Sequence, residues 1–195
     1  RLRHLPAQPR TEDAGGGVFP KIKPPFHAVP CGGRHAVRPG TDNDITTTKK
    51  MAVRYFTDDC TYRLPQKRLT ARWLHEVAAG EGYALGDVTY IFCSAQRLLE
   101  MNRQYLGHDY FTDVITFDYS DRKDARIVSG DIFIDVETVA DNARQYGATT
   151  LQEMRRVVVH GVLHLCGQGD KTPRTNAQMH RKEDKYLKFW EDPRQ

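Results

Sequence analysis

Residues Leu151 to Leu165 can bury one face only as a helix. Leu151, Met154, Val158, Val162 and Leu165 recur every three or four positions and form a single apolar stripe. Thr150, followed three residues later by Glu153, has the form of a capping box and sets the start. Gly167 sets the end, because glycine takes the left-handed conformation that closes helices at little cost. His160 and His164 lie beside the stripe. Four residues advance about 40° beyond one full turn, so two imidazoles at this spacing point the same way and can hold one ion. The turn at Gly167 can then swing Asp170 back towards both rings. Two rings and one carboxylate fill three positions of a tetrahedral zinc site and leave a fourth for water or substrate, as a catalytic rather than a structural site requires. Cys166 lies roughly 160° around the helix from His164, which predicts core packing and not a fourth ligand.

The residue after the first histidine narrows the chemistry. In zinc proteases of the His-Glu-x-x-His type it is the glutamate that deprotonates water, and here it is Gly161. A bound ion still acidifies its own water, so hydrolysis remains available while peptide hydrolysis loses its base.

The stretch His160-Gly-Val-Leu-His164-Leu-Cys-Gly167 resembles the motif His-Gly-x-Leu-His-Leu-x-Gly-Tyr-Asp-His of the YbeY family of bacterial rRNA maturation factors. A second block, Met101-Asn-Arg-Gln-Tyr-Leu-Gly-His-Asp-Tyr-Phe-Thr-Asp-Val-Ile-Thr-Phe117, is similar to that family's Leu-Asn-x-x-Tyr-Arg-x-x-Asp-x-Pro-Thr-Asp-Val-Leu-Ser-Phe segment. Gly130-Asp-Ile-Phe-Ile134 resembles its next strand. The resemblance implies a metal-dependent endoribonuclease acting on single-stranded RNA, serving 16S rRNA 3′-end maturation and ribosome quality control. It also implies rRNA and the small ribosomal subunit as partners, with one divalent ion, zinc, held by His160, His164 and Asp170 and no nucleotide cofactor. Thr112 and Asp113 follow the family pattern and are expected to shape the cleft, or simply to cap the entry to a strand.

Two departures stand out. Asp170 occupies the position of the family's third histidine, and a carboxylate oxygen is an acceptable zinc ligand that lowers the charge of the site. Leu106 occupies the position of an arginine that the resemblance connects with RNA cleavage, and leucine neither grips phosphate nor stabilises charge. Arg156, one helical turn before His160, and His108, two residues after Leu106, are the catalytic candidates that could substitute. Arg156 could equally pair with Glu153 or Glu100, and His108 could simply be exposed. A non-catalytic ribosome-biogenesis binding factor and a metalloendopeptidase-like hydrolase are the alternative functions.

Charge gives no global argument for nucleic acid. The chain holds 29 basic and 25 acidic residues, but the first fifty carry nine and four of them, leaving 20 against 21 in the rest. Those fifty residues also hold seven of the ten prolines and too little apolar content to offset ordering, so residues 1 to 50 are expected to be a disordered extension. They are suspected to be non-native, because Met51 opens a strand-like segment that resembles the family's own beginning. Four widely spaced cysteines without a Cys-x-x-Cys pair, and no apolar run that could span a bilayer, predict a cytoplasmic protein without membrane attachment.

Residues 51 to 195 make one domain of ordinary size. Strands are expected at 53–56, 88–93, 114–117 and 132–134. Helices are expected from about Thr70 to Ala79, from the Ser94 cap to Tyr105, from Val136 to Tyr146 closed by Gly147, through the histidine segment, and after a Thr175/Gln178 cap, the last burying Met179, Tyr186, Leu187 and Trp190. Together they predict an α+β (α/β-like) fold, a small mixed sheet of about four strands covered by about five helices. The family resemblance adds one antiparallel edge.

Overall fold

The computed structural model describes residues 52–120 and 126–191; the expectations for residues 1 to 50 and for Met51 lie outside them. Four strands form one mixed sheet in the order β1-β2-β4-β3. They are β1 (Val53–Thr57), β2 (Ala84–Cys93), β3 (Val114–Asp118) and β4 (Ile127–Asp135). β1, β2 and β4 run parallel, and β3 pairs antiparallel with β4 through Val114 opposite Ile134 and Phe117 opposite Asp131. Five helices cover the sheet: α1 (Lys67–Gly80), α2 (Ala95–Met101), α3 (Val136–Tyr146), α4 (Thr150–Leu165) and α5 (Pro173–Leu187). A π-helical turn (Asn102–Leu106) extends α2, and a 3-10 turn (Lys188–Glu191) extends α5. The α+β fold expected from the sequence is the one observed.

Several boundaries move for identifiable reasons. β2 begins four residues earlier than its apolar run, because a bulge between Leu85 and Val88 interrupts the alternation; a Cβ on Gly86 would lie 2.3 Å from the Ser129 hydroxyl. α1 begins at Lys67, behind a left-handed Gln66 whose side chain accepts a hydrogen bond from Arg155 at 2.7 Å. The capping box of α4 is formed by Thr149 and Gln152 and not by Thr150 and Glu153: the Thr149 amide donates to Gln152 Oε1 at 2.8 Å, and the Gln152 amide donates to Thr149 Oγ1 at 3.2 Å. Glu153 is buried instead, beside Arg156. α5 is capped by Thr172 with Thr175, not by Thr175 with Gln178, since Pro173 has the fixed φ and missing N–H that suit the first helical position. Met179 in the middle of α5 is buried, while Tyr186 and Leu187 at its end and Trp190 in the 3-10 turn are only half-buried against the core.

α4 is the helix around which the rest is arranged. Four of its residues are valines, which disfavour helix by up to roughly 0.7 kcal/mol each. Its seven buried apolar side chains are each worth roughly 1.5 to 3 kcal/mol on leaving water, so tertiary burial decides the conformation. One face of the sheet presents Tyr90, Phe92, Ile132 and Ile134 to α1 and α4, and the other presents Ile91, Cys93 and Phe133 to α2. Gly161 sets the approach: a Cβ there would lie 2.7 Å from Ile132 Cγ2. Tyr90, fully buried, reaches across to donate to the Val158 carbonyl at 2.8 Å.

Candidate metal centre

α4 delivers both imidazoles and the turn after it delivers the carboxylate. The helix ends at Leu165, and Gly167 adopts φ 89°, which turns the chain back across the last helical turn. His160 Nε2 and His164 Nε2 each lie 3.6 Å from Asp170 Oδ2, and the three donor atoms fall within 4.8 Å of one another. A tetrahedral ion with bonds of about 2.0 to 2.2 Å places its donors roughly 3.3 to 3.6 Å apart. The two histidine–aspartate edges match that spacing. All three side chains are half-buried, so the cluster is reachable from solvent. Cys166 packs against the core and takes no part in the cluster.

The far side of each ring is also occupied. His164 Nδ1 lies 2.8 Å from the Gln168 carbonyl, which only accepts, so Nδ1 carries the proton and Nε2 is the donor atom for an ion. His160 Nδ1 lies 2.8 Å from Glu183 Oε1 on α5, with the same consequence. Glu183 is 2 % exposed and its other oxygen meets Arg156 at 3.0 Å and His180 Nδ1 at 3.1 Å. Burial alone would raise the Glu183 carboxyl, but bonds from His160 and His180 outweigh it and hold it well below the ordinary range. Burial alone would lower His160, but its bond to Glu183 and the charges of Glu183, Asp113 and Asp170 raise it above the usual imidazole value. Asp170 is held below the ordinary carboxylate range, chiefly by its hydrogen bond with His164.

The other candidates from the sequence sit around this cluster. Arg156 faces the same side as His160, as its spacing requires, and binds Glu183 together with Asp184 at 2.8 Å. Neither Glu100 nor open solvent claims it. Asp113 is half-buried at the start of β3; burial raises its carboxyl, and the charge of His160 tempers the rise. The Thr112 hydroxyl donates to the Val114 carbonyl at 3.3 Å. His108 is exposed, with its ring stacked on Tyr110 at 5.2 Å between centroids. Leu106 is half-buried and packs with Tyr105 against the core cluster of Ile91, Phe117 and Phe133, so an apolar contact occupies the position of the expected cation. Glu183 and His180 did not emerge from the sequence. A signal existed, since Glu183 lies four residues after the buried Met179 and so shares its inward face.

Comparison with known proteins identifies the family. The profile of the Endoribonuclease YbeY family matches residues 56–191. An Endoribonuclease YbeY of Bacteroides thetaiotaomicron is 48% identical over 139 residues, covering 70% of this chain and 98% of that protein. One from Cytophaga hutchinsonii is 43% identical over 139 residues, covering 71% and 96%. Among solved structures, the solution structure of TM1509 from Thermotoga maritima matches with 29% identity and a TM-score of 0.49, covering 70% of this chain and 87% of that one.

Proposed function

This chain belongs to the YbeY family of endoribonucleases, and from that premise we propose that it is a metal-dependent endoribonuclease that cuts single-stranded RNA during maturation of 16S rRNA at its 3′ end. The convergence of His160 Nε2, His164 Nε2 and an Asp170 oxygen at near-tetrahedral spacing carries the proposal. Two imidazoles and a carboxylate suit zinc, and as three protein ligands they leave a position for water or substrate. When bound, the ion supplies Lewis acidity, acidifying water towards neutrality and drawing charge from a phosphate oxygen.

The chain's own residues do the rest. Glu183 and the Gln168 carbonyl keep each Nδ1 protonated and each ring fixed, so the two Nε2 atoms stay aimed at one point. Arg156 acts through Glu183, which it anchors, and not by gripping phosphate. Asp113 lies near enough to His160 for its charge to favour a proton on that ring, and Thr112 ties the chain to β3 just beside it. Cytoplasmic location and the small ribosomal subunit as partner belong to the same proposal. Its supports are the thiols of Cys60, Cys93 and Cys166, which form no disulfide, and a set of described helices none of which is long and apolar enough to cross a membrane. Peptide hydrolysis is disfavoured by packing as well as by chemistry, because Gly161 lies against Ile132 where no glutamate fits.

Metal analysis of the purified chain beside Asp170→Ala, with cleavage of a single-stranded RNA read in parallel, tests the proposal. One zinc per chain and cutting that falls with metal content are expected. RNA cleavage retained after the variant has lost its metal would overturn it. Binding of the small ribosomal subunit without cutting, with or without metal, would instead identify a binding factor, the reading that the loss of a cation at Leu106 favours.

A further inference from the structure

Residues 107–113 join the π-helical turn to β3 and end at Asp113, beside His160 of the candidate metal cluster. The loop is tied down at its base. Asn102 is buried, and its amide donates to the Tyr110 carbonyl at 2.8 Å, while the His108 amide donates to the Asn102 carbonyl at 3.2 Å. Its tip carries rings that this anchoring leaves in solvent. Phe111 is 61% and Tyr110 43% exposed, two of the three large exposed hydrophobics among the described residues. His108 stacks on Tyr110 with the rings 21° from parallel, and its Nδ1 lies 3.1 Å from the Tyr110 hydroxyl. The platform is thus held in place before any ligand arrives. Phe111 stands two residues before Asp113, at most about 7 Å along the chain, and Asp113 is near enough to His160 to feel its charge. β3, which Asp113 opens onto, packs against α4.

The charges near the loop point to one kind of ligand. Arg103 at the base of the loop is paired with Asp109 at 2.6 Å, and Leu106 packs half-buried against the core. A strand lying here would find π faces and few phosphate grips. Scattered exposed rings are ordinary on a protein surface, but adjacent rings on an anchored loop beside a metal cluster that takes RNA have a specific use. Unpaired bases stack on aromatic side chains whatever their sequence, whereas bases inside a duplex have their faces covered.

Resting on the endoribonuclease proposal above, we propose that Tyr110 and Phe111, with His108 stacked behind Tyr110, form a stacking site for unpaired nucleobases that holds the RNA strand at the metal cluster where a phosphate-binding arginine is lacking. The occupant is a single-stranded segment of the substrate, and the site selects against duplex because paired bases cannot offer a face.

The test is equilibrium binding of a fluorescein-labelled single-stranded RNA to the full chain, with the intactness of the RNA checked on a gel. A strand of the same length built from abasic units serves as comparison. The wild-type chain should prefer the strand that carries bases. Tyr110→Ala and Phe111→Ala should each weaken binding roughly fivefold to a hundredfold, Tyr110→Phe and Phe111→Trp should restore it, and binding of the abasic strand should not change. Because stacking releases no counterions, the salt dependence of binding should keep its slope, and metal content should be unchanged in every variant. Equal binding of the two strands by the wild-type chain, no binding of either, or a double Tyr110→Ala, Phe111→Ala variant that binds like wild type would each overturn the site. Those results are separable from failure of the nuclease proposal, which would appear as absent cutting by a chain that still distinguishes bases from abasic backbone.

Discussion

Replacing Glu183 by glutamine changes one atom and should weaken zinc binding at a site the side chain never touches. In the native chain the carboxylate accepts from three donors, His160 at 2.8 Å, Arg156 at 3.0 Å and His180 at 3.1 Å, while only 2 % exposed. An amide can keep one acceptor for His160, but its NH2 group then faces two other donors. The charge-assisted bond to His160 becomes a neutral one, roughly half as strong, so Nδ1–H is less polarised and Nε2 is a poorer ligand. Loss of such an outer partner typically costs ten- to a hundredfold in metal affinity, about 1.4 to 2.7 kcal/mol. Stability should fall too, by about 1 to 3 kcal/mol, although Arg156 keeps its bond to Asp184. Because the folded carboxyl lies below its ordinary value, this contribution is present above the unfolded value of about 4.3. It disappears as pH falls through the depressed folded value, where wild type and Glu183→Gln should converge. Zinc affinity by competition with a chromophoric chelator, beside urea unfolding of the metal-free proteins, separates the two effects. Asp184→Asn is the control, since it touches the same arginine from an exposed position and should leave zinc affinity alone. An unchanged zinc affinity in Glu183→Gln, whatever its unfolding midpoint, would refute the claim that Glu183 tunes His160.

Three further outcomes follow from the same structure. His164→Ala should lose metal and RNA cleavage together, since it removes one of three ligand atoms, and cleavage that survives stoichiometric metal loss in metal analysis would contradict this. Zinc affinity should weaken as pH is lowered, beginning above the ordinary imidazole value of about 6.5, because Glu183, Asp113 and Asp170 hold a proton on His160 that the ion must displace; a flat chelator-competition profile down to that pH would be inconsistent. Gly161→Ala should destabilise by about 1 to 3 kcal/mol in urea unfolding through its contact with Ile132, and an unchanged midpoint would show that α4 can shift off the sheet freely.

The cluster of His160, His164 and Asp170 was legible because its geometry is local. Helical spacing aligns His160 with His164, and one glycine lets ten residues fold back far enough to bring Asp170 within reach. Apolar periodicity gave the strands and helices for the same reason. The antiparallel edge could not be read from periodicity, because β3 and β4 alternate alike whichever way they run, and here the family resemblance supplied it. Both misplaced caps fall in segments with two eligible threonines, Thr149 and Thr150, then Thr172 and Thr175, where the choice depends on which helix start lets the apolar face meet the core. Glu183 was hidden for another reason. Its value comes from a contact 23 residues away in the chain, and α5 otherwise looks like a polar surface helix.

The two histidines, alike in sequence, are thus held by unlike means. His164 takes its outer partner from the Gln168 carbonyl, in the same turn that carries Asp170, so a single local bend fixes one ring and brings the carboxylate up to it. His160 takes its partner from α5, which is placed by Met179 in the core, by the Trp73 indole donating to the Tyr186 carbonyl at 3.0 Å, and by Lys182 and Tyr186 meeting Glu81. Correct aim of His160 therefore depends on the whole of α5 being docked, whereas that of His164 depends only on six residues of chain. A metal gripped by both rings would report on the two at once. If the cluster holds an ion as proposed, an aspartate in place of a histidine at this position would be tolerable, because the turn after α4 sets where the third donor falls and a carboxylate oxygen is an acceptable zinc ligand.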